Sequence, residues 1–326
     1  MSNFYKIVID TKGIDKGQLE VIAGAAAALD ANPSLALLLV GDKEVIEKEA
    51  ERLGMPTDRF EIIDAPDEIT NYDNPTEAIF RKTESSLVKA LEALSSNDEL
   101  CGMITGGNTG AYITGAVRFL SRPDRVRPAL AALLPAANGS YACVVDTGAT
   151  IDCTPAMLLH FAKLGCEFMR ESYKIESPRI GLLSNGAEPT KGNKLVKEAH
   201  GLLAGAEDIN FVGNVEGCNA LCGEYDVIVC DGFAGNQVLK VTEGTATRII
   251  TDIVKYAKRT ENPEIMKLVG HLMSIYDVSS LGGGIILGCR KPLIKIRGSA
   301  NKDAVVNTTE ALINMVENKE AYNRKK

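Results

Sequence analysis

Short apolar runs alternate with polar loops and amphipathic stretches along most of the chain. Residues 5–10, 35–41 and 60–64 are rich in β-branched or leucine side chains, which is typical of buried strands. Residues 17–31 and 43–53, between these runs, have the composition and spacing of helices. The alternation of strand and helix predicts an α/β fold with a mostly parallel sheet.

The same patterns continue to the end of the chain. They predict one long helix at 74–96, a strand from 100 that leads into a helix, and adjacent strands at 127–135 and 141–152 that turn at Asn138-Gly139. They also predict helices at 154–171, 241–276 (with a break at Asn262-Pro263) and 302–317, and a last strand within 292–301. Because no stretch has the composition of a linker, we expect residues 1–326 to form one single domain, with a helical protrusion at about 241–276.

Composition narrows the class of protein. The chain has 326 residues, 45% of them apolar, and a net charge of −7 with dispersed Lys and Arg, so we expect a globular protein that does not bind nucleic acid. The apolar runs are too short to span a bilayer, so we expect membrane contact to be peripheral. Eight cysteines without the spacing of a disulfide framework, and no apolar leader before Tyr5, predict a reduced protein in the cytoplasm. With three histidines, none near Cys218 and Cys222, we expect no metal site.

The chemistry is expected mainly in residues 179–240. Three apolar runs there end in Gly, Asn or acidic residues and then become helical, which places their loops at the carboxyl ends of parallel strands, where open α/β sheets bind ligands. Residues 106–111 begin another helix and offer N–H groups to an anion, without the lysine of a P-loop or the spacing of a dinucleotide fingerprint. Any single Gly-Asn pair can also be explained as an ordinary turn between a strand and a helix, although four such pairs fit that explanation less well. Asp146 is a polar group at a strand end, and His160, beside an apolar stripe, is expected to be structural.

Six motifs, in a fixed order, resemble one known family. They are GGNTGA at 106–111, RPAL at 127–130, VDTGAT at 145–150, PRIGLLSNGAEPTKGNKL at 178–195, GNVEG at 213–217 and DGFAGNQVLKVTEG at 231–244. With them the chain resembles, nearly end to end, the bacterial phosphate acyltransferase family PlsX, which transfers a fatty acyl group from acyl carrier protein to inorganic phosphate. The resemblance implies a three-layer α/β/α fold like that of isocitrate and isopropylmalate dehydrogenases and phosphotransacetylase, a homodimer, and no nicotinamide or metal cofactor.

The resemblance also implies where catalysis occurs. The lysine of the KGN motif falls on Lys191 and the asparagine of the DGF-x-GN motif on Asn236. We expect Lys191 and the backbone of residues 107–109 to hold phosphate, and Asn236 to donate to the thioester oxygen as it gains charge. Asp231 and Glu188 either orient these two side chains or cap the following helices. The other residues predicted to bind phosphate or substrate are Gly107, Asn108, Thr109, Gly110, Asn185, Gly192, Asn193, Gly232, Phe233 and Asp10.

Two loops depart from the family pattern. Where the family has DAMGGD, this chain has DTKGID at 10–15, and an HGSS-like loop is replaced by Arg-Gly-Ser-Ala at 297–300. We therefore expect a changed phosphate or acyl specificity, or weaker activity. The alternatives are the PlsX-like subunit of the clostridial glycine reductase complex, which releases short acyl groups as acyl phosphates, an NAD-dependent dehydrogenase of the same broad fold, and a non-catalytic relative that binds the carrier protein. Arg290, Lys291 and Arg297 are predicted to attract the acidic acyl carrier protein, with ordinary solvated charge as the alternative.

Overall fold

The computed structural model describes residues 5–124, 126–276 and 283–323. The first range contains β1 (Tyr5–Asp10), α1 (Gln18–Ala31), β2 (Leu35–Gly41), α2 (Lys43–Leu53), β3 (Phe60–Asp64), α3 (Pro75–Arg81), α4 (Ser86–Ser96), β4 (Leu100–Thr105) and α5 (Thr109–Leu120). The second contains β5 (Ala129–Pro135), β6 (Tyr141–Val145), α6 (Pro155–Tyr173), β7 (Arg179–Ser184), α7 (Lys194–Ala204), β8 (Asn210–Glu216), β9 (Val227–Val229), α8 (Gly232–Thr260) and α9 (Pro263–Tyr276). The third contains β10 (Gly284–Leu287), β11 (Leu293–Lys295) and α10 (Lys302–Asn323).

The first of two compact units contains the described residues up to Pro128 and from 283 onward. Its strands lie in the order β3-β2-β1-β4-β11-β10, all parallel except β10, which is antiparallel to β11. Side chains of β1 and β2 pack with those of α1 and α10 in its core, where Ile7, Leu29 and Leu312 are fully buried. Because β1 and β4 are neighbours and parallel, the loops that follow them leave the same edge of this unit.

The second unit contains Ala129 to Tyr276 of the described chain. Its strands lie in the order β5-β6-β9-β7-β8; the last four are parallel and β5 is antiparallel to β6. Val144, Val215 and Ile228 lie in its core. The loops after β6, β9, β7 and β8 therefore share one edge of this unit, which is where the motifs between 145 and 236 stand.

Most predicted elements are confirmed. The hairpin turns at Asn138-Gly139, where Gly139 has φ 80°, and the helices break at Asn262, with α9 beginning at Pro263. The parallel α/β character is confirmed within each unit, while the single domain over 1–326 and the protrusion at 241–276 stay predictions. No helix in the described ranges is both long and apolar enough to cross a membrane.

The prediction of one long helix at 74–96 is wrong. α3 ends at Arg81 and α4 begins at Ser86. The Ser85 hydroxyl donates to the carbonyl oxygen of Lys82 at 2.7 Å, and the N–H of Ser86 donates to that of Asp67 at 2.9 Å. Ser85 and Ser86 are buried, 0% and 1% exposed. The helix is interrupted because Ser85 bonds back to the end of α3 and Ser86 bonds to the loop at Asp67.

Candidate functional site

In the first unit, β1 and β4 end side by side. Residues 106–110, here called the glycine loop, follow β4. Asp10 of β1 is the register partner of Thr105 of β4. The Thr105 hydroxyl donates to Asp10 Oδ2 at 2.7 Å and accepts from the N–H of Gly107 at 2.9 Å. Asp10 is 2% exposed. It therefore supports the glycine loop through Thr105, and the N–H of Gly107 is already used within the protein.

The Asp10 carboxyl has an altered acidity. Burial raises its pKa to about 6, although hydrogen bonds from the Thr105 and Ser86 hydroxyls and the N–H of Lys12 lower it. Ser86 is the first residue of α4, so the interruption of the predicted long helix supplies one of the donors. The carboxyl under the glycine loop thus changes its protonation state within about one pH unit of neutrality.

The side chain of Asn108 fixes the start of α5. Its Oδ1 accepts from the N–H of Ala111 at 3.0 Å, which makes Asn108 the N-cap, and its Nδ2 donates to the carbonyl oxygen of Thr70 at 3.0 Å. The first N–H groups of a helix have no partner within the helix. The N–H groups of Thr109 and Gly110 are the ones that this arrangement leaves for an anion, and their predicted contact with phosphate stays a prediction.

The two loops that depart from the family pattern touch each other in this unit. The N–H of Asp15 donates to the carbonyl oxygen of Gly298 at 2.7 Å. Ile14, 7% exposed, packs against Gly106, where a Cβ would collide with its side chain. The Lys12 ammonium donates a hydrogen bond to the carbonyl oxygen of Pro66. The loop at 10–15 therefore borders the glycine loop and is itself in contact with the loop at 297–300, which the sequence alone does not reveal.

The predicted basic cluster is divided between two edges. Arg290 donates to the carbonyl oxygen of Phe119 at 2.9 Å, and Lys291 to those of Leu94 and Asn97 at 2.9 and 2.7 Å, at the ends of α5 and α4. Both residues precede β11, whereas Arg297 follows it, so they lie at opposite ends of that strand. Burial lowers the pKa of Lys291 and that of Arg297. Arg290 and Lys291 thus stabilise the ends of α5 and α4. Neither the predicted attraction of acyl carrier protein nor the alternative of solvated charge included this role.

In the second unit, a buried carboxylate shapes the loop after β6. Asp146 is fully buried, and it accepts from the N–H groups of Gly148, Ala149 and Thr150 at 3.2, 3.0 and 2.6 Å and from that of Leu130 at 3.0 Å. Burial raises the pKa of Asp146, and these N–H groups lower it. The predicted strand at 141–152 ends early, at Val145, because the chain folds back around this carboxylate.

Helix α8 begins directly against that turn. The side chain of Asp231 caps it by accepting from the N–H of Ala234 at 2.8 Å, so the geometry shows the capping role of Asp231. The N–H of Gly232 donates to the carbonyl oxygen of Thr150 at 2.8 Å. A Cβ at Gly235 would overlap the carbonyl oxygen of Asp146. Glycines at these positions let the helix start in contact with the turn.

Asn236 reaches back from α8 to the same turn. Its Nδ2 donates to the carbonyl oxygen of Thr147 at 3.2 Å, which uses one of the two N–H groups of the amide. The second N–H forms no hydrogen bond within the described residues. Phe233, three residues earlier, is 61% exposed. The amide is thus held in place by one N–H while the other stays unused within the described residues, and its predicted contact with the thioester oxygen stays a prediction.

The loop after β7 carries Lys191. The N–H of Gly192 donates to Asn185 Oδ1 at 2.8 Å, and the N–H of Lys191 to the carbonyl oxygen of Glu188 at 3.0 Å. Asn193 caps α7 with its side-chain oxygen. All five predicted residues of this loop are therefore close together, and Asn185, Gly192 and Asn193 shape it through hydrogen bonds of their own.

The Lys191 side chain is exposed. Its stem lies over Gly186, where a Cβ would be 2.7 Å from Lys191 Cγ, and its ammonium forms no ion pair with any residue that the structure describes. β6, β9 and β7 are parallel neighbours, so the loops of Asp146, Asn236 and Lys191 leave one edge of the second unit. Asp146 had no predicted role, although an acid followed by Thr-Gly can fold a turn around its carboxylate.

Comparison with known proteins identifies the family. Residues 5–322 match the family described as "Fatty acid synthesis protein". The chain is 40% identical over 315 residues to the phosphate acyltransferase of Halothermothrix orenii, covering 93% of this chain and 92% of that protein. It is 39% identical over 322 residues to the phosphate acyltransferase of Lacticaseibacillus casei, covering 96% and 92%. The chain belongs to this family. The resemblance to the PlsX phosphate acyltransferases is confirmed, and the chain is an acyltransferase.

Solved structures confirm the fold class of this PlsX-family chain. A phosphotransacetylase from Streptococcus pyogenes aligns with a TM-score of 0.64 and 17% identity, covering 97% of this chain and 94% of that one. At this identity the likeness concerns the fold alone. The α/β fold like that of phosphotransacetylase is therefore confirmed, while the residues of the site depend on the geometry above.

Proposed function

We propose that this PlsX-family chain transfers an acyl group from a thioester to inorganic phosphate, giving an acyl phosphate for phospholipid synthesis. The observation that carries the proposal is that one edge of the second unit presents both Lys191, an exposed lysine without an ion partner among the described residues, and Asn236, an amide with an unused N–H. Near-full-length identity to proteins named phosphate acyltransferase supports the same reaction.

In the proposed reaction, a phosphate oxygen attacks the thioester carbonyl carbon. The carbonyl oxygen becomes an oxyanion, the carbon–sulfur bond then breaks, and the thiolate leaves as the acyl phosphate forms. Lys191 offers a compact positive charge to phosphate, and the unused N–H of Asn236 donates to the oxyanion. Asp146 holds the turn whose carbonyl group, at Thr147, orients the Asn236 amide. No general base is required, because phosphate is partly a dianion at neutral pH.

We propose acyl carrier protein as the acyl donor, with Arg297, the first residue of the altered loop at 297–300, as a contact. We also propose a homodimer, supported by exposed apolar side chains on α8 and α9, including Val241, Ile249, Leu268 and Met273 at 48–65% exposure. Light scattering of the purified protein tests the homodimer. We propose a reducing cytoplasmic location, supported by eight cysteines without the spacing of a disulfide framework. We also propose peripheral membrane contact, which vesicle sedimentation tests.

The reaction is tested with purified protein, phosphate, and acyl carrier protein or coenzyme A thioesters of several chain lengths. Acyl phosphate is trapped with hydroxylamine, and the released thiol is measured by chromatography, since the protein's own cysteines react with thiol reagents. Lys191→Ala should abolish most of the product, whereas Lys194→Ala, a matched change at an exposed lysine three residues away, should not. Absence of phosphate-dependent thiol release with every donor would refute the proposal.

A short acyl chain is the second candidate for the substrate. The altered loops at 10–15 and 297–300 touch through Asp15 and Gly298, and Ile14 fills space beside Gly106. One altered loop borders the glycine loop and the other contacts the first, which supports a specificity different from that of relatives. A preference for acetyl or propionyl donors over palmitoyl donors in the same assay would favour the glycine-reductase-like alternative.

A further inference from the structure

Asn214 is a buried amide that core packing does not explain. It lies in β8, is 4% exposed and is the register partner of Leu182 in β7. Its Nδ2 donates to the carbonyl oxygen of Glu188 at 2.8 Å, whereas its Oδ1 has no partner in the described part of the chain. Burying an amide oxygen without a donor is unfavourable. An apolar residue would suit this strand position better, so the contact with Glu188 is the reason for an asparagine.

The contact joins Asn214 to Lys191 through one oxygen atom. The carbonyl oxygen of Glu188 also accepts from the N–H of Lys191 at 3.0 Å, and a carbonyl oxygen has two lone pairs for two donors. The remaining anchor of the loop, between Gly192 and Asn185, is exposed, whereas the Asn214 amide is fixed inside the sheet. The direction in which the Lys191 side chain leaves the turn at 188–191 is therefore set from a rigid strand.

We infer that Asn214 is a positioning residue for acyl transfer, which holds Lys191 in place through the carbonyl oxygen of Glu188. The inference rests on the proposed role of Lys191. Asn214 touches neither substrate, because it is buried in β8, two residues before the strand ends at Glu216. Small displacements of a group that positions a substrate can reduce the rate by about 100-fold, so the effect of Asn214 is measurable although it is indirect.

Asn214→Leu tests the inference, since leucine has nearly the same size and removes both the donor and the unmatched acceptor. We expect an unfolding temperature equal to or above that of the wild type and a fall of about 10- to 100-fold in kcat/KM for phosphate. Asn210→Leu is the matched control, on the same strand, with an exposed amide that donates to the carbonyl oxygen of Ser177 at 3.4 Å; it should leave kcat/KM unchanged. Equal proportional losses of folded protein and of activity in Asn214→Leu would overturn the inference.

Hydrogen exchange separates this inference from the proposed reaction. In Asn214→Leu, and in Asn214→Ala should leucine prevent folding, the peptide that covers residues 186–193 should exchange about 10-fold faster than in the wild type. Exchange in α6 should not change. Unaltered exchange in the 186–193 peptide overturns the inference even if the wild type makes acyl phosphate. Faster exchange in a protein that makes no acyl phosphate would show that Asn214 holds the loop of Lys191, and would place the failure in the proposed reaction. In a Lys191→Ala background, Asn214→Leu should have little further effect on kcat/KM; full additivity would contradict an action through Lys191.

Discussion

Asp10→Asn tests the buried carboxyl under the glycine loop. Burial raises the pKa of Asp10 from its ordinary value of 3.8 to about 6. A difference of about 2 between the folded and unfolded pKa corresponds to about 3 kcal/mol. Because the folded pKa is the higher one, the stabilising contribution of the protonated carboxyl is fully present below pH 3.8 and is lost as the pH rises through about 6.

The assay is urea unfolding of the wild type and Asp10→Asn at pH 4.5 and 7.5. Asparagine does not titrate. The effects of the substitution that do not depend on pH therefore cancel when the difference in unfolding free energy between wild type and variant is compared at the two pH values. Between pH 4.5 and 7.5 we expect the free energy of unfolding of the wild type to fall by about 2 kcal/mol relative to that of the variant. This is less than the full difference of about 3 kcal/mol because pH 4.5 already lies above the unfolded pKa.

The control is Asp73→Asn, at a carboxyl whose pKa the side chain of Lys82 holds down to about 2. The stabilising contribution of this ionised carboxylate is present above pH 3.8 and is lost as the pH falls toward 2. The difference in unfolding free energy between the wild type and Asp73→Asn should therefore hardly change between pH 4.5 and 7.5. A flat comparison for Asp10→Asn as well, or a wild type that gains stability with rising pH relative to it, would refute the reasoning from burial.

Three further predictions concern the turns and the chemistry. Asn236→Asp removes both N–H groups of the amide, the one bonded to Thr147 and the unused one, and should lower turnover about 100- to 1000-fold in the acyl phosphate assay. Gln237→Ala at the next, exposed position should not, and equal effects would argue against a role of the amide. Gly235→Ala should lower the free energy of unfolding by about 1–3 kcal/mol, because the new Cβ overlaps the Asp146 carbonyl oxygen; unchanged denaturant midpoints would contradict the packing. Thr105→Val, which removes a donor, should raise the Asp10 pKa further in a carbon-13 NMR titration, and a lower pKa would show that the hydroxyl is not a donor.

The strands and most helices could be predicted because their signals are local. The apolar run of β2 and the cap at Thr154 need no knowledge of distant residues. The helix at 74–96 could not be predicted correctly, since its apolar spacing continues through the break and Ser86 bonds there to Asp67 and Asp10, which are distant in sequence. Likewise, Arg290 and Arg297 are close in sequence, but the strand between them separates their side chains.

The sequence by itself determined the alternation of strand and helix, the family, and the positions of Lys191 and Asn236, because repeated patterns and motifs are written along the chain. Tertiary structure alone decided what holds these two residues. The Asp146 turn under Asn236, and Asn214 behind Lys191, act through hydrogen bonds between groups 89 and 26 residues apart. Such bonds depend on which strands become neighbours, and strand order is a property of the folded sheet that no local pattern contains.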